Sequence, residues 1–197
     1  YLPERPIDLE KVVADIKKIY DERGKVIVAI SEGVKTAEGK FLPELIGEIS
    51  TDAFGHKQMG GTGLVLADYL KNKIDTKIRT IEFSLLQRCA SHVASQTDID
   101  EAFGAGAFAV ENAINGVTDH MVGFEREEGD KYVCKFVLSP LSAAANAEKK
   151  VPQEWINEEG NQINSKFYDY CLPLIQGESK QEKENGLPKF AKLKKVF

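Results

Sequence analysis

The stretch Ile78-Arg79-Thr80-Ile81-Glu82-Phe83-Ser84-Leu85-Leu86-Gln87-Arg88-Cys89-Ala90-Ser91-His92 changes character halfway along. Its first half is rich in β-branched and aromatic residues, with apolar Ile81, Phe83 and Leu85 at alternate positions, as a strand requires. Its second half turns polar, bringing Gln87, Arg88, Ser91 and His92 close together. In an open α/β sheet, ligands bind where strands end and the chain turns. A guanidinium at such a turn suits a phosphate, because its planar fork offers two hydrogen bonds at once. Arg79, at the other end of the strand, is a second candidate anion donor. The same spacing also fits two arginines held in surface ion pairs, so spacing alone leaves both readings open.

Upstream, the pattern is helix followed by strand. Asp8 suits the N-cap of a helix over residues 9–23, with Leu9, Val12, Val13, Ile16, Ile19 and Tyr20 on one face and Gly24 as the stop. Residues 26–30, Val-Ile-Val-Ala-Ile, are uninterruptedly apolar, as expected of a strand covered on both faces. That rhythm predicts a parallel α/β layer. Glu32 and Gly33 follow the strand. A carboxylate there either accepts hydrogen bonds from sugar hydroxyls or takes a helix-cap or turn role. Residues 34–63 are irregular and glycine-rich. Gly60-Gly61-Thr62-Gly63 lacks both the following lysine and the buried strand that a phosphate-cradling loop uses, so it reads as a structural turn before a short helix over 64–73. His56 has no second histidine at ligand spacing and reads as a structural hydrogen-bonding residue.

Downstream, Thr97 or Asp98 is expected to cap a long helix over 99–115, stopped by Gly116. Gly104 and Gly106 inside it each cost about 1 kcal/mol relative to alanine, which predicts a close approach of helix to sheet. Residues 121–126 and 131–138 flank Glu127-Glu128-Gly129-Asp130 and read as a β-hairpin. Trp155, the only tryptophan, is expected to anchor its segment to the core. Beyond Gly177 the chain becomes polar and then basic, through Lys189, Lys192, Lys194 and Lys195. The expected organisation is therefore a domain over 1–177 and a solvated tail over 178–197.

The chain has 197 residues, 42% of them hydrophobic, enough for one sizeable core. A formal net charge of -5 argues against a general nucleic-acid surface; an acidic chain that binds phosphates must focus positive charge locally. Cys89, Cys134 and Cys171 lack paired metal-ligand spacing and read as reduced thiols in a cytoplasmic protein. There is no apolar run of membrane-spanning length and no signal-peptide pattern, so no membrane partner is expected. The opening at Tyr1, directly before the Pro3/Pro6 segment, reads as that of a piece of a longer protein.

Several motifs in order carry a resemblance: Ser31-Glu32-Gly33 after an apolar strand, Asp52-Ala53-Phe54-Gly55-His56, Gly60-Gly61, Arg79 and Gln87-Arg88. Together they resemble the C-terminal half of a phosphofructokinase, from Tyr1-Leu2-Pro3-Glu4 to Pro173-Leu174-Ile175-Gln176-Gly177-Glu178. Gln87-Arg88-Cys89-Ala90-Ser91-His92 and Val151-Pro152-Gln153-Glu154-Trp155-Ile156-Asn157 are most similar to the pyrophosphate-dependent branch. The resemblance implies a Rossmann-like three-layer α/β domain with a mainly parallel sheet and a β-hairpin. It implies fructose 6-phosphate as substrate, with Glu32 at the sugar, Arg88 at the 6-phosphate with Gln87 beside it, and Arg79 reaching the phosphate of a neighbouring subunit in a homo-oligomer. The family's donor loop and catalytic aspartates lie in the N-terminal half, and neither pattern occurs here. No catalytic residue or metal ligand is therefore assigned to this chain. Mg2+ and pyrophosphate, or ATP in the variant form, are expected to act through that other half, and the isolated chain is expected to be inactive. A non-catalytic sugar-phosphate-binding or assembly module of the same fold is the alternative. Two departures stand out. Leu85 occupies a position where many family members carry a phosphate-contacting histidine or tyrosine, a role left to Lys77 or His92 or left unfilled. Cys89 and Ala90 replace a common glycine pair.

Overall fold

A computed structural model of the chain describes residues 1–46, 61–190 and 192–195. The Asp52–His56 motif and Gly60 lie outside the described residues. The chain divides into two compact units, Tyr1–Phe83 with Lys150–Ser165, and Ser84–Lys149 with Lys166–Phe197.

The first unit is built on helices α1 (Leu9–Arg23) and α2 (Thr62–Lys71). The start of α1 is fixed by Asp8, whose Oδ1 accepts from the Glu10 and Lys11 amides at 2.9 and 3.3 Å. Its end is fixed by Gly24, whose φ of 67° suits glycine and lets its amide donate to the Tyr20 carbonyl at 2.7 Å. Val12, Val13 and Ile16 face inward and meet Val65, Leu66 and Leu70 of α2, together with Ile7, Val34, Leu42 and Ile74. Each such side chain, fully buried, contributes roughly 1.5–3 kcal/mol.

The two apolar stretches expected as central strands run along this core without pairing to each other. Burial alternates along 26–30: Val26, Val28 and Ile30 pack against the core, whereas Ile27 is 95% exposed. Residues 78–83 behave alike, with Ile78 against the core and Ile81 and Phe83 exposed. Tyr1 brackets the first stretch. Its ammonium donates to the Ala29 carbonyl at 2.7 Å, and its carbonyl accepts from the Ser31 amide at 3.0 Å. The expected parallel ladder is thus absent among the described residues, whose sheets are two antiparallel pairs. A parallel ladder requires two strands to bond directly to one another. Residues 26–30 and 78–83 do not serve as neighbours for one another.

The second unit contains α3 (Ser84–Cys89), α4 (Gln96–Ile114), strands β1 (His120–Arg126) and β2 (Cys134–Pro140), then α5 (Leu141–Ala144) and α6 (Ser165–Cys171). Two short strands, β3 (Lys183–Glu184) and β4 (Leu187–Pro188), close it. Strands β1 and β2 form the expected hairpin, in register Phe124↔Phe136. Helix α4 starts earlier than its sequence suggests, because Ser95 rather than Thr97 or Asp98 caps it, accepting from the Asp98 amide at 3.1 Å. The hairpin packs on α4 through an aromatic group in which Phe136 lies 6.1 Å from Phe108 and 5.9 Å from Phe124. The Arg126 guanidinium is stacked between the rings of Tyr132 and Tyr170, at 4.6 and 4.8 Å.

No described side chain of this unit is fully buried. The outer face of α4 leaves Phe103, Val110 and Ile114 exposed at 79%, 60% and 80%. Cys89, Cys134 and Cys171 are free. Burial and the Glu101 carboxylate push the Cys134 thiol up. No helix among the described residues is long and apolar enough to cross a membrane.

Candidate functional site

The candidate binding residues fall in both units: Glu32 and Arg79 in the first, Gln87 and Arg88 in the second. Glu32 sits in a tight turn in which the Val34 amide donates to the Ser31 carbonyl at 3.4 Å. Val34, fully buried, anchors one end of that turn in the core. The other anchor is Thr62, itself only 2% exposed, whose hydroxyl donates to the Glu32 carbonyl at 3.3 Å. Glu32 thus has a fixed backbone and an exposed side chain. Its carboxylate makes no hydrogen bond or ion pair among the described residues, and α2 is capped by Gly61 instead. Glu32 is therefore not the cap of α2, and its side chain is exposed.

The same helix start also holds the Arg79 segment. Thr80 donates through its hydroxyl to the Gly63 carbonyl at 3.4 Å. A Cβ on Gly63 would lie 2.8 Å from the Thr80 methyl, closer than carbon atoms pack, so only glycine allows α2 and residues 78–83 to approach this closely. Thr62 and Gly63 were legible in the sequence only as part of a structural turn. They are in fact the residues through which one helix start fixes the backbone of both Glu32 and the neighbour of Arg79. A Thr62→Val substitution keeps the shape but loses the bond to Glu32. It is expected to cost about 1 kcal/mol, read as a lower thermal midpoint with unchanged helix content.

Arg88 lies in the last turn of α3, with Gln87 before it and a 3-10 turn, Ser91–Val93, after it. The strand character of residues 78–83 gives way to this helix at Ser84, whose φ is 35°. The expected switch from extended chain to polar turn is therefore real, although it occurs before Leu85 rather than after it. Leu85 and Leu86 are both exposed. Neither Arg79 nor Arg88 takes part in an ion pair among the described residues. Among the described residues no three His, Cys, Asp or Glu gather in a metal-holding arrangement.

No family model matches the chain. Among curated proteins, a pyrophosphate--fructose 6-phosphate 1-phosphotransferase of Halomonas elongata is 38% identical over 193 residues, 98% of this chain and 45% of the relative. Among solved structures, the pyrophosphate-dependent phosphofructokinase of Nitrosospira multiformis matches with a TM-score of 0.79 at 33% identity, over 98% of this chain and 44% of that one. The pyrophosphate-dependent phosphofructokinase of Marinobacter aquaeolei matches with a TM-score of 0.77 at 31% identity, over the same shares. The chain thus spans somewhat under half the length of the relatives it matches. At that similarity, the α/β phosphofructokinase fold expected from the motifs is the fold observed. On sequence and on structure alike, the chain is similar to pyrophosphate-dependent phosphofructokinases over nearly its whole length.

Proposed function

We propose that the chain is the C-terminal, sugar-phosphate-binding part of a cytoplasmic pyrophosphate-dependent 6-phosphofructokinase. The observation that carries this is the 38% identity, over nearly its full length, to a relative named for that activity. In the complete enzyme the C1 hydroxyl of fructose 6-phosphate attacks one phosphorus of pyrophosphate, and the bridging P–O bond breaks to release phosphate. This chain binds and orients the acceptor. Arg88 offers its two-pronged donor to the 6-phosphate, with Gln87 beside it, and Glu32 accepts from the sugar hydroxyls. Donor, Mg2+ and catalytic base belong to the portion that the relatives carry in addition. That portion also covers the apolar surface left open here, including Ile27, Ile81 and Phe83 in the first unit and Phe103, Val110 and Ile114 in the second. A non-catalytic module has no comparable support. Arg79 is read as reaching a neighbouring subunit's phosphate, which makes the complete enzyme a homo-oligomer.

The test is an assay of the complete protein with fructose 6-phosphate, Mg2+ and either pyrophosphate or ATP, beside the 197-residue chain alone. The expected result is turnover with pyrophosphate, little with ATP, none by the isolated chain, and more than one subunit per particle by light scattering. Turnover with ATP only would reassign the donor, and no turnover with either would leave the non-catalytic module standing.

A further inference from the structure

The segment after the last helix of the second unit does not behave as a detached tail. It runs back along the stretch that follows Arg88 and bonds to it repeatedly. Gln176 and Gly177 accept through their carbonyls from the Thr97 and Gln96 amides at 3.2 and 3.0 Å. The Ser95 hydroxyl donates to the Leu174 carbonyl at 2.6 Å, and Ser95 pairs with Glu178 in an antiparallel bridge. Further along, the Ser179 hydroxyl donates to the Ser91 carbonyl at 3.3 Å, and the Gln181 side-chain amide donates to the Ser91 hydroxyl at 2.5 Å. The crossing is tight. Gly177 has a φ of +81°, and a Cβ there would lie 2.7 Å from that of Gln96.

These bonds matter because of what they hold. Helix α3 buries none of its residues, so side-chain packing does not fix the direction in which Arg88 points. Three positions beyond Arg88, Ser91 is gripped through both its carbonyl and its hydroxyl by residues from the far end of the chain. A short helix without a core contact is oriented by whatever restrains its ends.

We propose that Gln181, with Ser179, is a positioning residue for Arg88, acting through Ser91 to set the guanidinium toward the substrate phosphate. This rests on the assignment of Arg88 as the phosphate anchor. Its effect falls on binding of the sugar phosphate and not on the donor, because the bonds from Ser179 and Gln181 end on Ser91, three positions from Arg88. A single hydrogen bond of this kind corresponds to about a three- to tenfold change in affinity.

The experiment is a set of variants of the complete enzyme, with KM for fructose 6-phosphate, KM for pyrophosphate and kcat measured for each. Gln181→Ala and Ser91→Ala should each raise the sugar-phosphate KM about three- to tenfold, with kcat and the pyrophosphate KM unchanged. Gln181→Glu and Ser91→Thr, which keep a hydrogen-bonded pair, should restore it. The double alanine variant should be no worse than the worse single, and Gln181→Ala should add nothing to Arg88→Ala. An unchanged sugar-phosphate KM in Gln181→Ala overturns the proposal, as does a parallel rise in both Michaelis constants or full additivity with Arg88→Ala. If Arg88→Ala itself leaves that KM unchanged, the anchor assignment falls and the positioning role falls with it. That result is distinct from failure of the clasp alone, in which Arg88→Ala still acts and Gln181→Ala does not.

Discussion

Replacing Arg88 with alanine in the complete enzyme is expected to raise the Michaelis constant for fructose 6-phosphate about ten- to a hundredfold, the equivalent of roughly 1.5–3 kcal/mol for a charge-assisted contact. The constant for the phosphate donor should stay nearly where it was. Stability should not suffer, since Arg88 is exposed, α3 buries nothing and the guanidinium is in no ion pair among the described residues. Arg88→Lys should recover only part of the loss, because lysine keeps the charge but not the fork. Glu32→Gln should weaken sugar binding without altering the response to the phosphate group. Steady-state kinetics with each substrate varied in turn separates these outcomes. A rise in the donor's constant after Arg88→Ala would reassign the residue, and loss of the fold would return it to a structural role.

The second large effect concerns two neighbouring glycines of α4 with opposite expected signs. A Cβ on Gly104 would lie 2.5 and 2.6 Å from two ring carbons of Phe136. The ring has little room to retreat, because Phe108 and Phe124 flank it. Overpacking of this kind costs about 1–3 kcal/mol, against a gain of about 1 kcal/mol in helix propensity. The net cost is about 0–2 kcal/mol, so Gly104→Ala should lower the thermal midpoint by up to about 8 °C, at about 2–4 °C per kcal/mol for a chain of this size. Gly106 has nothing within 4 Å of the same virtual atom. Gly106→Ala should raise the midpoint of this chain, since only the propensity gain remains. Calorimetry on both variants checks the pair. A stabilised Gly104→Ala would mean that the hairpin slides on the helix more freely than its aromatic packing implies.

This contrast shows how the two levels of information divide. From the sequence, both glycines marked a close helix–sheet approach, yet only Gly104 makes one. Periodicity places a residue on a face of a helix, whereas what covers that face depends on the rest of the fold. The local signals held where the physics was local. Asp8 and Gly24 delimit α1 as their side-chain chemistry and backbone freedom require, and the hairpin forms around its turn. The likeness to phosphofructokinases was legible too, because the motifs that carry it are short strings whose order survives in one dimension.

Tertiary structure decided what depends on residues distant in the chain. The apolar run at 26–30 is written for burial on both faces, and in this chain alone Ile27 stays 95% exposed. Ser95 takes the cap of α4 because the chain around Gly177 returns to bond the same turn. Glu32 and Thr62 are thirty positions apart and meet through a single hydrogen bond; Ser91 and Gln181 are ninety apart and do the same. By itself the sequence determined the likeness to phosphofructokinases, the candidate arginines and carboxylate, and the elements whose caps and turns are local. The fold alone decided which backbone holds each of those residues in place, because a hydrogen bond between distant positions leaves no periodicity for a sequence to show.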